Sequence, residues 1–432
     1  GTLKPRVTKT QFKKNPFHFV CVPAVSRNLH KELLQKYDVL AEKSEKSPFN
    51  QIVGNGKWGI VANGVSFDYV MDAVTDLGIK DKVSVLKLGF SWPLPKKLIA
   101  KFLKSVDKVL VVEELEPINE NEFKAIAQEN GIHTPIQGKG VGGLSRLWEY
   151  DPRMVRGAVA AIFGLEHKAP AVVDVSDLPP LPGRPPTLCA GCPHRATFYA
   201  VKEVYGADSV NPTDIGCYTL GLLPPLSMGD FVICMGSSVS TSCGFATATD
   251  QKVVSFIGDS TFFHSGITGL INAVHNNHKF TLVILDNGTT AMTGHQIHPG
   301  VDTEPMGLKL PQVIVEDVVR GCGVKDLHVV KPFNLKKTME ALKASLEYDG
   351  ISVVVSKEFC PLFAKGIGKA RKAKPFTINQ QKCKNHRDCI NKLACPAMYL
   401  EGNAVRINKN LCIGCSVCAQ VCPENAIVPV KD

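Results

Sequence analysis

The chain has 432 residues, 44% of them hydrophobic and 21% charged, with a formal net charge of +10; the length suggests about three domains, and no apolar run approaches the ~20 residues a membrane span needs. The basic balance comes without an arginine-rich arm or an aromatic-interleaved basic stripe, which argues against nucleic-acid binding and fits an acidic protein partner at least as well. Fifteen cysteines, odd in number and clustered at short spacing in a chain large enough to bury its own core, read as metal or redox ligands in a reducing compartment, so the cytoplasm is the expected location.

The N-terminus, Gly1-Thr2-Leu3-Lys4-Pro5, lacks the apolar stretch of a signal peptide. A strand is predicted at 58–62, a helix at 66–77, a strand at 83–87, a helix at 95–106 and a buried strand at 109–113, a βαβαβ unit of a small parallel sheet. Its turns carry no G-x-G-x-x-G, so a dinucleotide site has no support there. The acids Glu113, Glu114 and Glu116 read as a solvated loop or an interdomain contact. This first domain is expected to span 1–166. The segment 167–188, with Pro170, Pro179, Pro180, Pro182, Pro185 and Pro186, reads as a linker. A second α/β domain is expected over 189–360, with strands at 231–234, 253–257, 281–285 and 352–355. A basic linker at 361–376 then leads to a cysteine-dense module at 377–432. The fold class is α/β: two doubly wound open parallel-sheet domains followed by a small two-cluster ferredoxin-like domain.

The tail carries the most specific pattern, Cys412-x2-Cys415-x2-Cys418-x3-Cys422-Pro423. Three thiolates on one tight loop hold three corners of a cubane, and the fourth, followed by Pro, ligates the other cluster of a two-cluster ferredoxin. An imperfect partner lies upstream, Cys383-x2-His386-x2-Cys389-x5-Cys395-Pro396. Crossed pairing assigns Cys412, Cys415, Cys418 and Cys395 to cluster 1, and Cys383, Cys389 and Cys422 to cluster 2. His386 stands where a fourth thiolate is expected. Either its imidazole ligates iron, giving a second 4Fe–4S cluster, or the site holds a 3Fe–4S cluster and His386 is a bystander.

In the second domain, Gly258-Asp259-Ser260 follows one buried strand and Asp286-Asn287-Gly288-Thr289 ends the next. A diphosphate bound through Mg²⁺ needs hard oxygen ligands at adjacent strand ends of an open parallel sheet. The Asp259 carboxylate, the Asn287 side-chain oxygen and the Thr289 carbonyl fit three of them, and Gly258 permits close backbone approach. Gly236-Ser237-Ser238 offers N–H groups and hydroxyls suited to a diphosphate oxygen. His264, His295 and His298 are candidates for protonation steps or for holding a substrate carboxylate, His295 ahead of the others because it comes just after the magnesium loop. Cys189, Cys192 and Cys217 read as packing or cofactor contacts ahead of a further metal site. Cys21, Cys234, Cys243, Cys322 and Cys360 read as inert core thiols.

The strings Leu188-Cys189-Ala190-Gly191-Cys192-Pro193-His194-Arg195, Asp214 to Gly221, Met235-Gly236-Ser237-Ser238, Ile257 to His264 and Thr289 to Gln296 resemble the α subunit of indolepyruvate:ferredoxin oxidoreductases, a resemblance that runs over nearly the whole chain. It implies thiamine diphosphate with Mg²⁺ and two iron–sulfur clusters as cofactors. The implied reaction is oxidative decarboxylation of an aryl-pyruvate with coenzyme A, with electrons passed to ferredoxin. A β subunit is implied as partner in a hetero-oligomer. Residues 1–166 match the family's domain related to the C-terminal domain of transketolases, and Cys192 and His194 approach the diphosphate or substrate. Thiamine activation also needs a Glu on a pyrimidine-binding domain, expected from a preceding segment or another polypeptide. Two alternatives stay open: the same chemistry on another 2-oxoacid, or an electron-transfer subunit with a vestigial cofactor fold.

Overall fold

The computed structural model describes residues 11–167, 174, 176–179, 183–302 and 309–430. Gly1 to Pro5, and Pro170, Pro180 and Pro182 of the expected linker, lie outside the described residues. The chain divides into two compact units, one ending at Pro180 and the other starting at Leu181.

After a single helical turn at Pro16–Phe19, the first unit continues with helix α1 (Pro23–Glu45), in which only Val25 and Ser44 are buried. Its sheet has the order β1-β3-β2-β4-β5: β1 (Asn50–Gly54), β2 (Trp58–Asn63), β3 (Val83–Leu88), β4 (Lys108–Val112) and β5 (Ile136–Gln137). β3, β2, β4 and β5 are parallel, and β1 runs antiparallel to β3 at the edge. Runs such as Val109-Leu110-Val111-Val112 form strands because β-branched side chains pack well on both faces of a covered sheet. One face, with Ile60, Ala62, Val85, Leu110 and Val112, meets α2 (Gly64–Asp76) and a helix at Pro152–Phe163. The other, with Val61, Leu86, Val109 and Val111, meets α3 (Lys96–Ser105) and α4 (Ile118–Glu129). The period-two alternation of Ile60, Val61 and Ala62 between the two cores is the register of the sheet. Full burial of Phe102, Leu103 and Phe123 contributes about 1.5–3 kcal/mol each. The final helix, α5 (Pro152–Phe163), starts with Asp151 accepting from Arg153 N at 2.7 Å and Met154 N at 2.9 Å, with Pro152 at its first position.

The second unit is built on an all-parallel sheet, β6-β7-β9-β8, from β6 (Val254–Gly258), β7 (Phe280–Asp286), β8 (Asp326–Val330) and β9 (Ile351–Lys357). Ile257, Leu282, Ile284, Val353 and Val355 face one core; Phe256, Val283, Leu285 and Val354 face the other, which also takes in the cysteine-rich tail. The strand expected at 231–234 does not form. Phe231 makes a single bridge to Pro212, and Phe231, Val232 and Ile233 stay exposed. An apolar run becomes a strand only where a neighbour offers a ladder, and this one has none beyond that bridge.

The expected linker at 361–376 begins as a short helix, Pro361–Gly366, and ends where Phe376 enters a strand. The tail then forms two small antiparallel pairs, β10 (Phe376–Ile378) with β13 (Ile427–Pro429) and β11 (Met398–Glu401) with β12 (Ala404–Ile407). The Gln420 side chain donates to Phe333 O at 2.8 Å and accepts from Leu335 N at 3.0 Å, capping the helix Leu335–Glu347 of the α/β core. Among the described residues no helix is long and apolar enough to cross a membrane.

Candidate functional site

The carboxyl edge of the parallel sheet gathers the polar residues. Asp259 follows Gly258 at the end of β6, and its Oδ2 accepts from Asn287 N at 3.1 Å and Gly288 N at 2.8 Å, beyond the end of β7. Its Oδ1 accepts from Ser260 N at 2.8 Å. The expected ligands Asp259, Asn287 and Thr289 are therefore close neighbours, with Thr289 N donating to Asn287 Oδ1 at 3.1 Å. Ser260 is tied to the same loop, its hydroxyl accepting from Thr290 Oγ1 at 2.9 Å. Gly258 must lack a side chain, since a Cβ there would lie 2.5 Å from the Tyr218 ring.

His194, in the first turn of the helix Pro193–Tyr205, is buried, and burial pushes it down to about 4, so it stays neutral. Asn287 Nδ2, which only donates, lies 3.1 Å from His194 Nε2. Thr289 N, donating to Asn287 Oδ1, fixes which end of the amide is oxygen, so Nδ2 donates to His194 Nε2 and His194 carries its proton on Nδ1. Two more groups stand here: His298, expected as a candidate for protonation steps or for holding a substrate carboxylate, and Asp286, which sequence reading did not single out. The His298 Nε2 lies 3.1 Å from Asp259 Oδ2 yet is not aligned for a hydrogen bond. Asp286, at the end of β7, is largely buried beside Asp259; burial first, then the Asp259 charge, pushes it up to about 6 despite Lys357 Nζ at 3.3 Å. Two acids crowded at adjacent strand ends, with an orphan imidazole nitrogen beside them, suit a divalent cation.

His295 adopts a left-handed φ of 65°. Its ring stacks on Phe363 at 5.9 Å, and its Nδ1 is buried without a partner. It lines a pocket together with Asn287, His194 and four thiols, Cys189, Cys192, Cys217 and Cys360. Cys360 was not distinguished from the other expected core thiols because only the fold brings it there. Cys21 and Cys234, read as core thiols, are exposed, whereas Cys243 is buried. His264 lies exposed on the π-helical turn Phe262–Gly266, outside the residues lining this pocket. Gly236, Ser237 and Ser238 do start a helix, Ser237–Ala248, with Gly236 at φ 87°. Their donors hold a protein carboxylate: Asp214, fully buried, accepts from Ser238 N at 3.0 Å and Ser238 Oγ at 2.6 Å.

In the tail, Cys395, Cys412, Cys415 and Cys418 line one cavity, and Cys383, His386, Cys389 and Cys422 line a second. Backbone donors aim at sulfur in both, Phe376 N at 3.4 Å from Cys412 Sγ and Ala426 N at 3.4 Å from Cys422 Sγ. Burial pushes the Cys415 thiol up to about 11. Grouped buried thiols are poor thiolates alone, and cationic iron reverses that. Among the described residues no three His, Cys, Asp or Glu side chains stand close enough to share one metal ion. A cubane does not ask for that, because each thiolate binds its own iron. The turn Cys189 to Cys192 lies between the two kinds of site: Cys192 lines both the pocket of His194 and the cavity of Cys415. Gly191, at φ 67°, meets the Ile413 side chain so closely that no Cβ fits.

A model of the thiamine pyrophosphate enzyme C-terminal TPP binding domain matches residues 214–356, and a 4Fe-4S binding domain matches residues 405–428. The indolepyruvate oxidoreductase subunit IorA of Methanothermobacter thermautotrophicus is 45% identical over 97% of this chain and 68% of its own length. The protein of the same name from Thermococcus kodakarensis is 40% identical over 98% of this chain and 68% of its own. Among solved structures, 2-oxoglutarate:ferredoxin oxidoreductase from Magnetococcus marinus aligns with a TM-score of 0.38 at 20% identity, over 42% of this chain and 66% of that one.

Proposed function

The chain belongs to the family of indolepyruvate oxidoreductase subunit IorA, and from that premise we propose that it is the catalytic α subunit of an enzyme that oxidises indolepyruvate and related aryl 2-oxoacids. The reaction joins the 2-oxoacid to coenzyme A as an aryl-acetyl-CoA, releases carbon dioxide and reduces two ferredoxins by one electron each. Bound thiamine diphosphate supplies the carbon nucleophile for cleavage next to the keto group. Asp259, the Asn287 side-chain oxygen and the Thr289 carbonyl would hold the Mg²⁺ that binds the diphosphate. His194 keeps the Asn287 amide oriented, and the unpartnered His295 Nδ1 is free to hold a proton or a substrate oxygen. The Asp286–Asp259 crowding supports a cation at this edge.

The observation that carries the reading is the shared Cys189–Cys192 turn. On this reading the turn would leave the cofactor pocket one side chain away from cluster 1, as one-electron oxidation requires. Cluster 1 would pass electrons on to cluster 2 and then to ferredoxin, an acidic partner of the kind the chain's basic balance fits. A β subunit and a Glu-bearing pyrimidine-binding domain complete the assembly in the cytoplasm. The pocket's four thiols favour one addition. Cys189, Cys192, Cys217 and Cys360 are a soft donor set suited to a further iron–sulfur centre beside the cofactor, which would raise the iron content from roughly eight to roughly twelve per chain.

Thiamine diphosphate and Mg²⁺ titrations of the wild type and of Asp259→Ala, followed by anaerobic ferredoxin reduction with indolepyruvate, phenylpyruvate and pyruvate in the full complex, test the reading. Wild-type binding lost in Asp259→Ala, with the aryl substrates fastest, is the expected result. Absence of cofactor binding in the complete wild-type complex leaves an electron-transfer subunit with a vestigial cofactor fold.

A further inference from the structure

The two cysteine loops of the tail match position for position at a separation of 29 residues: Cys383 with Cys412, His386 with Cys415, Cys389 with Cys418. Their backbones match as well. Asn385 and Gly414 are left-handed at φ 60° and 72°, and Arg387 and Ser416 both at φ 64°. Each loop is entered in the same way, Cys383 N donating to Asn379 O at 3.1 Å and Cys412 N to Asn408 O at 3.1 Å. Each leaves through a short helix that starts at the matching residue, Asp388–Asn391 and Val417–Val421. Left-handed Asn and Arg cost roughly 1 kcal/mol or more each. A loop that had lost its metal role would have no reason to keep both.

At the matching position His386 is held as a metal-ligating histidine is held. Its Nε2 lies 2.9 Å from Glu424 Oε1, and the Glu424 carboxylate is further pinned by Lys384 Nζ at 3.3 Å. An imidazole that binds a metal through one nitrogen characteristically donates its other N–H to a carboxylate. The Glu424 contact places the proton on Nε2 and leaves the Nδ1 lone pair for iron. Glu424 stands two residues after Cys422, so the supporting carboxylate arrives on the segment that brings a thiolate to the same cavity. With the His386 side chain 47% exposed, the ion pair alone adds little stability and does not account for the copied backbone.

We propose that His386 ligates the fourth iron of cluster 2 through Nδ1, making it a 4Fe–4S cluster with three thiolates and one imidazole. This rests on the two-cluster reading above. The neutral ligand makes cluster 2 one unit less negative than the all-thiolate cluster 1 and raises its potential. Electrons entering at cluster 1, beside the cofactor pocket, would then meet in cluster 2 a better acceptor than an all-thiolate cluster in the same place.

Pulsed electron paramagnetic resonance on the reduced full-length protein, prepared anaerobically with natural-abundance and with ¹⁵N-labelled histidine, tests this. The expected result is a strong nitrogen coupling on one cluster that changes with the label and disappears in His386→Cys, whose cluster 2 also becomes harder to reduce. The cluster 1 spectrum, unchanged in the variant, shows that the tail still folds. A three-iron signal in the oxidised wild type, or two reduced cubanes without histidine coupling, overturns the proposal while leaving the enzyme reading intact. Complete absence of iron–sulfur signals would instead remove the two-cluster reading on which it stands.

Discussion

At the carboxyl end of β4, Glu113 is buried and fully engaged: Oε2 accepts from Asn119 N at 2.8 Å and Asn119 Nδ2 at 3.0 Å, and Oε1 from Glu120 N at 2.8 Å. It sits on the N-terminus of α4, where the helix dipole favours a negative charge, and Lys139 Nζ, 2.6 Å from Tyr150 OH, also reaches the Glu113 carbonyl. At the carboxyl ends of β6 and β7, Asp259 also accepts three backbone N–H groups, but Asp286 crowds it and is pushed up to about 6, and the buried His298 Nε2, 3.1 Å from Asp259 Oδ2, makes no hydrogen bond. The two sheets thus end strands in acids with different fates. An acid whose surroundings are complete within the protein is scaffold. Acids left mutually repulsive beside an orphan nitrogen are arranged for something that the chain itself does not supply.

Charge-removing substitutions should break the symmetry between these edges. Asp259→Asn keeps a side chain of the same shape but loses the charge, and its Mg²⁺–thiamine diphosphate affinity should fall at least ~100-fold by calorimetric titration, beyond what loss of a supporting contact costs. Glu113→Ala should leave that affinity unchanged and lower unfolding free energy by about 3 kcal/mol in denaturant melts, because buried donors lose their acceptor. A Glu113 variant that bound cofactor weakly would erase the distinction.

The pH dependence sharpens it further. Burial holds His194 at about 4 in the fold, against about 6.5 in an unfolded chain. The unfolded state takes up this proton first on acidification, so a contribution of about 3 kcal/mol present above pH 6.5 is lost as pH falls to 4. In His194→Gln that part of the anaerobic melting profile should flatten. Asp286 has the opposite sign. Its folded value of about 6 lies above the ordinary one, so protonation between pH 6 and 4 stabilises the metal-free protein. Asp286→Asn should accordingly raise metal-free stability at pH 7 by roughly 1–2 kcal/mol, part of the gain being offset by the lost Lys357 contact, and should narrow the difference between metal-free and Mg²⁺-loaded melting temperatures.

Continuous apolar runs made the central strands legible from residues alone: 83–87, 109–113 and 281–285 lie within a residue of β3, β4 and β7. Edge β1 was invisible because only Asn50 of its residues is buried, and α1 because almost nothing along it packs. The opposite error, a strand at 231–234, came from reading hydrophobicity without knowing that no ladder awaited it. Local spacing located the neighbours Asp259, Asn287 and Thr289 and both cysteine loops, since their chemistry is written within a few residues or across one strand–helix–strand step. It could not see Cys360 join Cys217, since the fold alone closes the 142 residues between them, nor that Glu113 is a buried helix cap, because an acid run looks the same in water or under a helix.

Arg195 acts as a mechanical tie. Its guanidinium donates to Leu393 O at 3.0 Å, on the stretch between Cys389 and Cys395, and also to Thr187 Oγ1 at 3.2 Å and Leu188 O, just ahead of the Cys189–Cys192 turn. One planar, rigid fork is thereby fastened to the wall of the pocket and to the segment that delivers Cys395. Tunnelling falls off exponentially with separation, so a hinge at this junction would let thermal breathing modulate the current between the redox centres. With the gap clamped by a side chain that never loses its charge in water, the transfer rate is insulated from such motion, and warming the protein should alter substrate capture well before it alters the electron hop.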